Sequence, residues 1–296
     1  MNKISNKDER QDLFVYQIFY NSESQKNLAE DFLPLDNTSN ERPDWFEFWP
    51  IRKFFTQSVL NENAFYGFFS PRLTEKTGIE HSHIRALVSD AKKNIDVLLF
   101  PNRWDHLAYF RNVFEHGDAA HPGLMKQTDC FLKDIGVEVD LHSLVSHSGN
   151  AVFSNNVVAK PIYWRAWLQL ANKFFDYAET DLSENARLIR SDTMYGKHGI
   201  LQVSMKVFIM ERLSAIVMAQ NDFRVGALDT SVSAALSDLF LDDISARRIL
   251  QVCDSLKRDF SVTKDEKFLD IFYQLRDLAP KGKRFQFLSR KEPAVR

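Results

Sequence analysis

The run LFVYQIFY, residues 13–20, decides how the rest of the chain is read. Aromatic and β-branched side chains fill it and one glutamine interrupts it, which predicts a strand buried on both faces. Outward from it, Ser22 or Ser24 can cap a helix that runs to about residue 32 and that Pro34 ends. PLDNTSNERPD, residues 34–44, reads as loop because Pro, Asn and Asp crowd it. Asp44 opens an aromatic helix over residues 45–60, bent or restarted at Pro50. AFYGFFS (64–70) reads as a second strand, residues 80–93 as a helix and DVLLF (96–100) as a third strand. Helical spacing covers 104–115, HGDAAHPG (116–123) breaks it, and 124–135 is helical again. Residues 146–153 read as a strand, 161–179 as an amphipathic helix with Pro161 in its first turn, and 203–220 as a buried helix. The last third, 231–278, reads as three helices.

Strands alternating with helices predict an α/β fold: a mostly parallel sheet with flanking helices and a helical C-terminal part. The simplest partition is an α/β domain over 1–225 and a helical extension with a basic tail over 226–296. Charge is nearly balanced, with 38 Lys and Arg against 40 Asp and Glu, which argues against a surface built to coat nucleic acid. Two cysteines exclude a disulfide framework or a cysteine-rich zinc site. No apolar run reaches membrane-spanning length, and the polar start MNKISNKDERQD lacks a secretory-signal pattern, so a cytoplasmic location is expected. The tail from Pro280 carries Lys281, Lys283, Arg284, Arg290 and Lys291 among Phe285, Phe287 and Leu288. It is either solvated or makes peripheral contact with an anionic inner-membrane surface.

Phe is the over-used residue, at 25. Phe46, Phe48, Phe54, Phe55, Phe65, Phe68 and Phe69 gather in the first strand–helix units, which predicts a core role. Trp45, Trp49, Trp164 and Trp167 fit helical spacing and are expected in the core as well.

In open α/β sheets ligands bind beyond the carboxyl ends of the strands. Those ends carry Asn21, Asp36 with Asn37, Arg42 with Asp44 and Glu47, Arg72 with Lys76, and Asn102 with Arg103 and Asp105. The mixture of amides, carboxylates and cations suits a polar, charged small molecule. No Gly-rich dinucleotide fingerprint, P-loop or nucleophile elbow is present. Glu115, His116, Asp118 and His121 form the densest cluster, for acid–base work, for a metal, or as a surface loop closed by Pro-Gly. SHSGNAVFSNN (146–156) offers His147, Asn150, Asn155 and Asn156, amides that can hold hydroxyls or cap the next helix. Glu211-Arg212 inside an apolar helix is either a solvent-facing edge or a charged pair presented to the pocket.

RPDWFEFWPIRKFF, AFYGFFSPRLTEKTG, DVLLF, FEHGDAAHPG and NAVFSNNVVAKPIYWRAWLQL together resemble a bacterial glycosyltransferase-like family of capsule, O-antigen and other surface-polysaccharide loci. The order is also similar to GT-A type capsular transferases, over roughly residues 14–225. The resemblance implies a GT-A fold and transfer of a hexose-like sugar from a nucleotide-sugar donor to a glycan or lipid-linked acceptor. Donor contacts are expected from Asn21, Asp36, Asn37, Arg42, Arg72, Lys76, Asn150, Glu211 and Arg212, and catalysis from Glu115, Asp118 or His121. Such enzymes usually hold a divalent cation, Mn or Mg, on an Asp-x-Asp. This chain has none in the expected place, only the acidic pair Glu138 and Asp140, so no metal ligand is assigned. Without a metal, cations such as Arg42, Arg72 or Lys76 would take the diphosphate charge. Two other classes fit the residues: a non-catalytic scaffold of a polysaccharide assembly complex, marked by an exposed Phe patch, and a metal-dependent hydrolase using His116, Asp118 and His121.

Overall fold

The computed structural model describes residues 12–74, 78–91, 94–195, 201–232 and 234–285. β1 (Leu13–Phe19) forms where its sequence predicts, and α1 (Ser22–Lys26) follows it. Asn21 caps α1 by accepting from Ser24 N at 2.8 Å, but the helix ends six residues before the expected limit. β2 (Leu33–Asp36) occupies part of the expected loop. Pro34 cannot donate to a ladder, and it is tolerated because β2 is the outermost strand of the sheet. After a single 3-10 turn at Pro43–Trp45, α2 (Phe48–Gln57) starts with Pro50 in its first turn, so the proline restarts the helix.

β3 (Phe65–Phe69), α3 (His81–Ala91) and β4 (Val97–Leu99) match the sequence reading. α4 (Trp104–Tyr109) then stops early, and α5 (Val113–Ala120) begins at Asn112, whose Oδ1 accepts from Phe114 N and Glu115 N, both at 2.9 Å. That cap moves the break from 116–123 to 110–112, and most of HGDAAHPG is helix. α6 (Leu124–Asp134) follows. Residues 146–153 are not a strand; the pairing strand is β5 (Val157–Ala159), after which come α7 (Pro161–Thr180) and α8 (Glu184–Arg190). The expected helix at 203–220 is divided: β6 (Asp192–Tyr195) pairs with β7 (Leu201–Ser204), and α9 (Met205–Met210) and α10 (Leu213–Gln220) meet at Glu211-Arg212. β8 (Val225–Ala227) completes the main sheet, and two helices rather than three end the described chain, α11 (Ile244–Thr263) and α12 (Lys267–Arg276).

The main sheet has the order β2-β1-β3-β5-β4-β8. Only β5 runs against the others, pairing antiparallel with β3 and with β4. Both faces are covered, so the strands are continuous apolar runs whose side chains alternate between two cores. Tyr66, Phe68, Val97, Leu99, Val157 and Ala159 face the larger core under α2 and α7, with Trp45, Phe48, Trp164 and Trp167. Phe65, Phe69, Leu98, Phe100 and Val158 face the smaller one, with Ile84 and Val88 of α3. Gly67 is required where β3 meets β5, since a Cβ there would lie 2.7 Å from Val158 Cγ2. Among the described Phe residues only Phe46 is exposed, at 47%.

The C-terminal helices do not stand apart. Leu236, Leu239, Phe240, Ala246 and Leu250 share a core with Trp104, Ala108 and Tyr109 of α4. β8 also straddles the expected boundary at 225/226 and pairs with β4. Among the described residues no helix is long and apolar enough to cross a membrane. Most of the basic tail, including Arg290 and Lys291, lies outside the described residues.

Candidate functional site

The chain steps from β1 to β2 on one side and then to β3 on the other, and open α/β folds bind ligands outside the carboxyl ends of the strands at such a reversal. Asn21 follows β1, Asp36 ends β2 and Asn37 follows it, and Ser70, Pro71 and Arg72 follow β3. Gln17, buried in β1, fixes this region: its Nε2 donates to Pro71 O at 3.0 Å and its Oε1 accepts from Ala29 N at 2.8 Å. Asn37 is 7% exposed, and its main-chain N donates to Phe19 O at 2.8 Å, tying the ends of β2 and β1 together.

The reversed strand β5 brings further polar groups to the same edge. Because β5 runs antiparallel, its first residues lie beside the last residues of β3 and β4. Phe100 N donates to Asn156 O at 3.0 Å, which sets Asn155 and Asn156 against Pro101 and Asn102 at the end of β4. Ser154 just before them has φ 62°, the left-handed region that L side chains avoid and that functional loops often hold. The side-chain amides of Asn155 and Asn156 make no hydrogen bond to another described residue. Asn102 Oδ1 is buried without a partner, and so is Trp104 Nε1 two residues further on. Buried polar atoms are paired in the great majority of cases, so an orphan acceptor and an orphan donor this close in the chain stand out.

The residues expected to do acid–base work have their polar groups engaged within the fold. Glu115 Oε1 accepts from Arg276 Nη1 at 2.8 Å, and its Oε2 accepts from Arg111 N. Asp118 Oδ1 accepts from Gly123 N at 3.0 Å and Met125 N at 3.1 Å, holding the turn into α6. His121 stacks on Phe208 with ring centroids 3.7 Å apart. The expected donor contacts divide. Asn21, Asp36, Asn37 and Arg72 share the carboxyl edge; Lys76 lies outside the described residues. Arg42 forms a two-cation, two-carboxylate network instead, pairing with Asp44 and Glu179 at 2.8 Å each while Lys206 reaches the same carboxylates. Its partners hold its charge, and Asp44 is pulled down to about 2 by Arg42 and Lys206 against the opposing effect of burial. Asn150 is spent on its own loop, accepting from His147 N at 2.8 Å and donating to Val145 O at 3.0 Å. Glu138 and Asp140 lie in the irregular segment after α6 and follow no strand. Among the described residues no group of three or more His, Cys, Asp or Glu is placed to hold a metal ion.

Arg212 is buried at 3% exposure at the α9–α10 junction. It donates to Val113 O (2.9 Å), Phe208 O (2.7 Å) and His116 Nδ1 (3.1 Å). Arginine only donates, so His116 must carry its proton on Nε2 and give it to His106 Nδ1 at 2.9 Å. His106 in turn holds its proton on Nε2 and donates to Ser237 Oγ at 2.8 Å. Ser237 N donates to Asp105 Oδ2 at 2.8 Å, closing a chain from a buried cation to a buried carboxyl. Burial keeps both histidines neutral, well below their ordinary value, and raises Asp105. The serine and histidine are close enough to suggest a nucleophile and base, but His106 Nε2 already carries a proton and cannot take another from Ser237. Asp105, His106, His116, Arg212 and Ser237 share no sequence motif; the sequence singles out Asp105, His116 and Arg212, each in a separate segment.

The fold and this edge define an open, mostly parallel α/β sheet protein with polar side chains gathered at its carboxyl end. No family model, curated protein or solved structure matches the chain.

Proposed function

We propose that the protein is a cytoplasmic glycosyltransferase of GT-A type. It moves a sugar from a nucleotide-sugar donor to a glycan or lipid-linked acceptor in bacterial surface-polysaccharide synthesis. One observation carries the reading. The carboxyl edge of the sheet, where open α/β folds bind ligands, collects amides and cations from three separate strand ends: Asn37 from β2, Arg72 from β3, and Asn102 with Arg103 from β4. A nucleotide sugar asks for both kinds of group, cations for the diphosphate and amides for the base and sugar edges. The mostly parallel sheet with helices on both faces agrees with the coarse architecture that a GT-A reading requires. The Phe residues support an enzyme over a scaffold, since they fill the core and leave no exposed aromatic patch among the described residues. Titration calorimetry with UDP, GDP and their hexose conjugates tests the proposal: saturable binding of one nucleotide series is expected, and no binding of any would sink it.

A further inference from the structure

At the amino edge of the sheet, a cavity of about 130 Å³ lies between the starts of β1 and β3 and the second half of α3. Strand register builds its apolar lining: Leu13 lies opposite Phe65 in the parallel pair, and Val88 of α3 packs with both in the smaller core. Four polar residues complete it, Asp12 and Asn63 just ahead of the two strands and Arg85 and Ser89 one turn apart on α3. Phe65 N donates to Asp12 O at 2.8 Å, which fixes the Asp12 main chain beside β3. All four polar residues are exposed, so a solute can reach them. None of their side chains makes a hydrogen bond or ion pair to another described residue, and Arg85 and Asp12 do not pair with each other. We propose that this cavity binds a small apolar α-amino acid as its zwitterion. The Arg85 guanidinium answers a carboxylate with a planar fork of donors, and the Asp12 carboxylate answers an ammonium. Ser89 and Asn63 add neutral donors and acceptors, while Leu13, Phe65 and Val88 receive the apolar side chain. A phosphate dianion is repelled by Asp12, an amine is repelled by Arg85, and a neutral sugar leaves both charges unanswered. The volume is a little below the roughly 150 Å³ of a cavity that takes benzene, which sets the ligand at about six non-hydrogen atoms, the size of alanine. β1 and β3 run parallel away from this edge, so their length places the cavity about 20 Å from the carboxyl strand ends. The site therefore stands apart from the proposed donor site and does not rest on the transferase reading.

NMR titration of the isotope-labelled full chain tests the proposal by following the Asn63 side-chain amide and the Arg85 Nε–H. The solutes are alanine, propionate and ethylamine, which lack the ammonium and the carboxylate respectively, and inorganic phosphate. Alanine should shift both resonances saturably, with half-saturation at a concentration at least about tenfold below that of propionate or ethylamine. Arg85→Gln should weaken alanine about tenfold or more, and Asp12→Asn should remove the preference for alanine over propionate. Both residues are exposed, so the variants should melt with the wild type. If one melts early, the wild-type comparison of alanine with propionate decides alone. Equal binding of alanine and propionate, tighter binding of phosphate, or an alanine response that survives Arg85→Gln overturns the zwitterion site. No shift with any of the four solutes overturns the cavity as a binding site. Alanine binding without any nucleotide binding upholds this site and removes the transferase reading.

Discussion

At Gly117 a single hydrogen atom in place of a methyl group makes room for a guanidinium. A Cβ there would sit 2.7 Å from Arg212 Nε and 2.9 Å from Leu124 Cδ2. Gly117 lies inside α5, where alanine ordinarily stabilises by about 1 kcal/mol. Here the sign reverses. Gly117→Ala should destabilise the protein by about 1–3 kcal/mol in urea unfolding, because the enclosed arginine cannot retreat without leaving Val113 O and Phe208 O unpaired. A neutral or stabilising result would contradict the arrangement of Arg212. The sequence marks Arg212 as unusual in an apolar run, yet nothing local identifies its partners, since His116 and Val113 are almost a hundred residues earlier.

Among the elements, three strand ends converge on one carboxylate. Asp96, just before β4, accepts from Arg224 Nε at 2.8 Å and Nη2 at 2.7 Å, before β8, and from Lys160 Nζ at 3.3 Å, after β5. Arg224 chiefly, with Lys160, holds the Asp96 carboxyl down to about 2 from 3.8. The folded chain therefore binds fewer protons than the unfolded chain between those values. The contribution to stability is complete above about pH 5 and is lost as pH falls through about 2. In melting curves across that range, Asp96→Asn should start lower than wild type and fall less steeply; parallel curves would show that the carboxylate contributes nothing. β1, β3 and β4 were legible because both faces are buried and their apolar runs are nearly unbroken. β2 was not, because an edge strand accepts the proline that would forbid a central one, and β5 was not, because its three apolar residues lie between Asn155-Asn156 and Lys160-Pro161, which read as loop and helix start.

On the scale of the whole molecule, a lysine joins the helical C-terminal part to the rest. Lys257 of α11 is fully buried, and its ammonium donates to Phe110 O (2.6 Å), Ser146 O (2.7 Å) and Leu107 O. Burial lowers it to about 8. Lys257→Met would keep the apolar stem but leave three enclosed carbonyls unpaired, and should destabilise by about 3 kcal/mol or more. Limited proteolysis should then cut around α11 and α12 first; unchanged cleavage would mean that the apolar contacts with α4 suffice alone. By itself the sequence determined the class of fold, the aromatic core and the strand-end residues Asn21, Asp36, Asn37 and Arg72, because alternation, burial and strand ends are local properties. Only the tertiary structure decided that Arg42 is spent on Asp44 and Glu179, that Arg212 heads a chain through His116 and His106, and that a reversed strand sets Asn155 and Asn156 beside Asn102. Those outcomes depend on which distant groups share a small, poorly solvated space, and the energy of a buried charge or amide is fixed by such neighbours rather than by position along the chain.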